Sequence, residues 1–149
     1  MWMMNGKRLF CKKITIVFLL LFCFQAEAKQ RAPERIEGAT IVNAEELIEL
    51  FSKHENTVVI DARLASDRKQ GYIEGSVNLE NTLTDCNKLF TILKTMSVPV
   101  VFYCNGDDCS RSADSIKIAL SCGYNNVYWF RGGFHEWLLK GYPYLRDRR

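Results

Sequence analysis

Two cysteines separated by four residues stand in the segment Cys104-Asn105-Gly106-Asp107-Asp108-Cys109-Ser110-Arg111-Ser112. Just upstream, residues 99–103 (PVVFY) have the continuous apolar, β-branched pattern of a strand buried on both faces. Just downstream, Ala113, Ile116, Ala119 and Leu120 recur at helical spacing. In an open parallel sheet, chemistry gathers at the carboxyl ends of strands, where loops lead into helix N-termini. Amides of such a loop, with the helix dipole, converge on an anion at its centre and lower the pKa of a thiol placed there. The thiolate is the nucleophile, which makes Cys104 the first candidate for covalent chemistry.

The elements that must position this loop follow from periodicity. Besides 99–103, two short apolar runs read as strands: 57–60 (TVVI), ended by Asp61, and 127–130 (VYWF). Helical spacing joins Leu47, Leu50 and Phe51 behind an N-cap at Asn43 with Glu46 three positions on, and joins Leu89, Phe90, Leu93 and Met96. The helix after the cysteine loop is closed by Gly123, and a last short one over 134–140 follows the Gly132-Gly133 turn and is stopped by Gly141 and Pro143. Strands alternating with helices imply right-handed crossovers and a parallel sheet sandwiched by helices.

Length and composition fit one folded domain: 149 residues, 48% hydrophobic and 25% charged. The net charge of +3 comes from the front of the chain, where Lys7, Arg8, Lys12 and Lys13 face Glu27 alone. From Lys29 onward the charges balance, leaving no basic excess for a phosphate backbone and arguing against a nucleic-acid partner. Behind those cations comes the apolar run 14–24 (ITIVFLLLFCF), then Gln25-Ala26-Glu27-Ala28, the outline of a secretory signal cut after Ala28. The apolar run would rise about 17 Å as a helix, short of a bilayer core of roughly 30 Å. A cleaved signal is therefore expected over an uncleaved anchor, with no stable membrane span in the mature chain. Bulky Phe22 before Cys23 argues against a lipoprotein box. The expected organisation is a signal peptide over 1–28, a linker over 29–40, a domain over 41–145 and a basic tail over 146–149.

Cleavage would leave Cys86, Cys104, Cys109 and Cys122 in an oxidising, periplasmic or extracellular setting. No paired zinc spacing exists, and His54 and His135 stand far apart, so no metal site is expected. Cys86 and Cys122 lie on helical patterns and read as buried small hydrophobes rather than partners of each other.

Four ordered pieces of this sequence, VVIDAR (58–63), GYIEGSVNL (71–79), VVFYC with the following RS (100–112) and GYNNVYWFRGGFHEW (123–137), resemble the rhodanese-like domains. The resemblance spans about 41–143. It implies a three-layer α/β/α fold with a mainly parallel central sheet. It also implies a cysteine that accepts a sulfane sulfur, holds it as a persulfide among the loop amides, and passes it to a second nucleophile. Cys104 matches that cysteine, and Arg111 matches the basic residue that closes the loop and stabilises the anion. Asn105, Gly106, Asp107, Asp108, Ser110 and Ser112 would complete the substrate-binding loop. No metal or organic cofactor is implied. The partners would be a small sulfur-containing donor and a thiol, cyanide or protein acceptor. Family sulfurtransferases usually place four residues between the cysteine and the closing residue, and phosphatase and arsenate-reductase relatives five. Six separate Cys104 from Arg111, an enlarged loop.

Asp107 and Asp108 complicate this reading, because a carboxylate about 6 Å from a thiolate repels it by roughly 3 kcal/mol at an effective dielectric of 20. They are expected to point to solvent as turn formers. Cys109 has three roles open: a resolving thiol or disulfide partner for Cys104, the sulfur carrier itself, or a structural loop residue. Asp61 and Arg63 should organise neighbouring loops, Trp129, Phe130 and Trp137 belong to core or rim, and Arg131, beside the double glycine, reads as a solvated surface arginine, the alternative being that it faces the active loop and assists an anionic substrate. The expectation is an exported sulfurtransferase. A thiol–disulfide redox or sensing module using Cys104 and Cys109, and a non-catalytic binding domain, are the alternatives.

Overall fold

The computed structural model describes residues 31–146. The expected signal peptide lies outside the described residues, as does nearly all of the basic tail.

Five parallel strands form one sheet in the order β1-β5-β4-β2-β3, with β1 Ala39–Val42, β2 Val58–Asp61, β3 Val77–Asn78, β4 Val100–Tyr103 and β5 Val127–Phe130. The three apolar runs seen in the sequence are the central strands β2, β4 and β5. Their continuous hydrophobicity has the expected cause, since every residue of β4 is buried. The edge strands gave no comparable signal. In β1 only Val42 is buried, its first two residues fall in the stretch read as linker, and β3 is two residues long.

Helices cover both faces. On one side α1 (Ala44–Lys53) and α5 (Gly133–Leu139) pack Leu47, Leu50, Phe134 and Trp137 against Val59, Val101, Tyr103 and Phe130. On the other, α3 (Cys86–Leu93) and α4 (Arg111–Ser121) pack Leu89, Leu93, Ile116 and Ala119 against Ile60, Val100, Phe102 and Trp129. Alternate residues of each strand thus serve opposite faces. A four-residue helix, α2 (Ala65–Arg68), follows β2 and has no counterpart in the sequence periodicity.

The expected caps form. Asn43 and Glu46 make a reciprocal capping box on α1, and Gly123, at φ +96°, follows the end of α4 as a glycine in the left-handed region does. Two expectations are corrected. Helix α3 ends at Leu93, with Lys94 at φ 65°, so Met96 lies beyond it, and both Met96 and Phe90 are exposed. Cys86 and Cys122 are bonded to each other, with Cα atoms 5.6 Å apart. Cys86 opens α3 and is exposed, and Cys122 is the C-cap of α4. Their separation of 36 residues concealed that the start of α3 and the end of α4 meet in space.

Candidate active site

Strand register brings Asp61, Tyr103 and Phe130 level, so β2, β4 and β5 end together and Cys104 emerges at the middle of that edge. Beneath it lies a buried polar network. Asp61 accepts from Arg63 Nε at 2.8 Å and Nη2 at 2.7 Å, from Arg68 Nη1 at 3.2 Å, and from the Tyr103 hydroxyl at 2.7 Å. Arg63 also donates to the Gly71 carbonyl at 2.9 Å, and Arg68 to the Ser76 carbonyl at 2.7 Å. Asp61 and Arg63 therefore organise loops, as their placement after a strand suggested. Burial, and then the Asp61 carboxylate, push the Tyr103 phenol well above the ordinary tyrosine range, so it remains the donor in this network.

The cysteine loop rests on the N-terminus of α5. Phe134 N–H donates to the Cys104 carbonyl and His135 N–H to the Asn105 carbonyl, each at 2.9 Å. The approach is so close that a Cβ on Gly133, which sits at φ +58°, would come within 2.4 Å of the Cys104 carbonyl oxygen. Only glycine meets both the backbone angle and the contact.

Asp107 and Asp108 form the corner of a turn closed by the Cys109 N–H donating to the Gly106 carbonyl at 2.9 Å. Both aspartates are exposed, and Asp107 is paired with Arg131 at 2.9 Å. The expected solvated arginine is thus a loop partner, and it also donates to the Pro33 carbonyl at 3.3 Å. The turn returns Cys109 to Cys104, and a disulfide joins them, with Cα atoms 6.3 Å apart. Cys104 is 1% exposed, while Cys109 is partly exposed.

Among the described residues, the amides of Asn105, Gly106, Asp107 and Asp108 meet no protein acceptor. Ser110, the N-cap of α4, supplies no side-chain cap, whereas Asn43 and Asp85 cap α1 and α3. The first-turn amides of α4 accordingly have no side-chain acceptor at the N-cap. An open cleft of about 740 Å³ lies over these groups, lined by residues 105–111 and by His135.

Arg111 is held at the rim. Its Nη1 is 3.5 Å from Asp67 of α2, and the Asn105 amide donates to the same carboxylate at 3.2 Å. Ser112 turns inward and is buried, its hydroxyl accepting the Trp129 indole N–H at 2.9 Å. Cys104, Asn105, Gly106, Asp107, Asp108, Cys109, Ser110, Arg111 and Ser112 therefore form one continuous surface patch and the wall behind it. Asp67, His135 and Gly133 belong to the same place and were not recognised as such in the sequence, and Arg131 takes the loop-facing alternative to its solvated reading. The available signal was the Gly132-Gly133 pair at the carboxyl end of β5, beside the strand that carries Cys104.

The sequence profile described as Rhodanese-like domain matches residues 43–140, about two thirds of the chain. The chain belongs to the rhodanese-like domain family. Among curated proteins, it is 24% identical over 136 residues to an uncharacterized protein of Buchnera aphidicola subsp. Acyrthosiphon pisum, covering 90% of this chain and 91% of that one. It is 27% identical over 109 residues to the uncharacterized protein YibN of Escherichia coli K12, covering 72% and 73%. Among solved structures, the rhodanese-like domain of the Alr3790 protein from Anabaena sp. superposes with a TM-score of 0.61 at 21% identity, over 75% of this chain and 81% of that one. A thiosulfate sulfurtransferase from Pseudomonas aeruginosa gives a TM-score of 0.63 at 20% identity, over 74% of this chain and 21% of that one. The α/β fold expected from the sequence is the rhodanese-like fold, and the cleft of this rhodanese-like domain lies over the loop that carries Cys104.

Proposed function

We propose that this rhodanese-like domain is an exported sulfurtransferase that carries sulfane sulfur as a persulfide on Cys104. The observation that carries the reading is the set of open amides, from the loop and the uncapped start of α4, around a cysteine at the end of the central strand. Such a cradle favours a thiolate and then the anionic persulfide that replaces it. The Asp107 charge, which would oppose both, is offset by Arg131. Export is supported by the signal-like front of the sequence and by the two disulfides among the described residues.

Chemistry starts from the reduced loop. The Cys104 thiolate attacks the outer sulfur of a donor such as thiosulfate, the donor's S–S bond breaks, and sulfite leaves with the electron pair. An acceptor thiolate then attacks the outer sulfur of the persulfide, and the Cys104 thiolate leaves. Backbone N–H groups of residues 105–108 and of the first turn of α4 hold the anion, and Arg111 supplies positive charge at the rim.

Intact-mass measurement tests this. Reduced protein incubated with thiosulfate releases sulfite as Cys104 takes up one sulfur atom, about 32 Da where the persulfide is retained, and Cys104→Ser abolishes both. Sulfite release or an adduct that survives in Cys104→Ser, or neither of them in the wild-type chain, refutes the reading. The Cys104–Cys109 bond favours a second reading, a thiol–disulfide exchange module. Its signature is a loss of about 2 Da on oxidation, reversed by reductant, with no sulfur uptake from any donor.

A further inference from the structure

We infer that Cys109 resolves the Cys104 persulfide, so that the site reduces sulfane sulfur to hydrosulfide and closes its own disulfide in the same step. This rests on the persulfide reading above and names what becomes of the sulfur.

Three observations carry it. The two sulfurs reach bonding contact on this backbone, through the turn closed by the Cys109 N–H and the Gly106 carbonyl. Cys109 lines the cleft, whereas Cys104 is almost wholly buried behind it, so an external acceptor meets Cys109 on its way to the persulfide. The base of the loop is fixed by the two hydrogen bonds from α5 to the Cys104 and Asn105 carbonyls. A thiol held within bonding reach reacts as an intramolecular nucleophile, with the advantage over a free thiol that positioning confers.

In the step, the Cys109 sulfur attacks the Cys104 Sγ. The Cys109–Cys104 bond forms, and the bond between Cys104 Sγ and the outer sulfur breaks. The outer sulfur leaves with the electron pair and takes the Cys109 proton, departing as HS⁻. The sulfane sulfur gains two electrons, and the two cysteine sulfurs together lose them. A dithiol reductant must then reopen the disulfide by thiol–disulfide exchange before another turnover. Its first attack falls on the more accessible Cys109 sulfur, with the Cys104 thiolate leaving into the amide cradle. The donor class is a sulfane-sulfur compound, the product hydrosulfide, and the second substrate a dithiol.

The test is a single-turnover measurement on the full chain. The loop disulfide is opened with dithiothreitol under conditions that leave Cys86–Cys122 closed, the reductant is removed anaerobically, and thiosulfate is added. Sulfite, sulfide and protein mass are then followed together. The expected result is one sulfite and one sulfide per chain, with the protein ending about 2 Da below its reduced mass, and continued sulfide production only when dithiothreitol is supplied again. Cys109→Ser should release sulfite, release no sulfide, and keep the adduct of about 32 Da. Sulfite without sulfide, with the adduct retained in the wild-type chain, overturns the inference while leaving the sulfurtransferase reading intact. Absence of sulfite as well overturns that reading. Sulfide released equally by Cys109→Ser also overturns the inference, since the electrons would then come from elsewhere.

Discussion

Cys86–Cys122 ties two helix ends on the outside of one layer, 36 residues apart in sequence, whereas Cys104–Cys109 spans five residues at the carboxyl end of the central strand. Chain entropy separates the two in energy. Closing 36 residues restricts the unfolded chain by about 4 kcal/mol, and closing five by about 2 kcal/mol. Their surroundings separate them in kind. Cys122 packs against the apolar core of its layer, while the loop pair is surrounded by open amides, a cleft and the start of α4. One bond holds helices together. The other lies in a surface loop beside the cleft.

Deleting each pair in turn tests this contrast most severely. Cys104→Ala with Cys109→Ala should lose sulfur uptake completely, as read by sulfite release from thiosulfate, yet lower the unfolding free energy in urea by only about 2 kcal/mol. Cys86→Ala with Cys122→Ala should do the reverse, costing about 4 kcal/mol, a large share of a typical domain's total stability, while sulfur uptake per folded chain is unchanged. Equal stability losses for the two pairs, or loss of uptake in the second variant while it remains folded, would break the comparison.

The loop pair depends on what lies under it, and Gly133 is the sharpest point of that dependence. Gly133→Ala places a methyl against the Cys104 carbonyl in a backbone region that alanine avoids. It should cost about 3 kcal/mol in chemical denaturation and slow persulfide formation in whatever folded protein remains. Tyr103 underlies the same residue from the other direction. Its raised pKa means that above about pH 10 the folded protein retains a proton the unfolded chain releases, so stability falls as pH rises through that range. Tyr103→Phe should cost about 1–2 kcal/mol at neutral pH for the lost hydrogen bond to Asp61, and should flatten the decline in urea midpoint above about pH 10.

Which parts of this were legible in the sequence follows from the range of the signals. Strands β2, β4 and β5 could be read because burial on both faces forces uninterrupted apolar runs, and the Asn43–Glu46 cap because it is local. Cys104 could be placed because a strand ends beside it. The edge strands escaped because half-exposed or two-residue segments need no distinctive composition. The Cys86–Cys122 bond escaped because nothing local encodes the juxtaposition of two helix ends 36 residues apart. Arg131 looked like surface because its partner, Asp107, comes from a different strand's loop. Asp67 was invisible for the same reason: it lies on a single helical turn with no periodicity, and its significance comes only from Asn105 and Arg111 meeting it across the cleft rim.

Asp67 also supplies the gentlest way to separate the loop from the scaffold. Its carboxylate is 30% exposed, and the facing Arg111 side chain 33%, so the pair is well solvated and contributes well under 1 kcal/mol to folding. Asp67→Asn keeps an acceptor for Asn105 and removes the charge that holds Arg111 sideways. Stability in urea should be unchanged within about 0.5 kcal/mol. The freed guanidinium then adds its charge to the cleft, so loading from an anionic donor such as thiosulfate should rise a few-fold at low salt, with the gain fading as salt is added. Loading from an uncharged organic trisulfide should stay the same. An equal change for both donors would mean that Asp67 sets the shape of the loop rather than its charge.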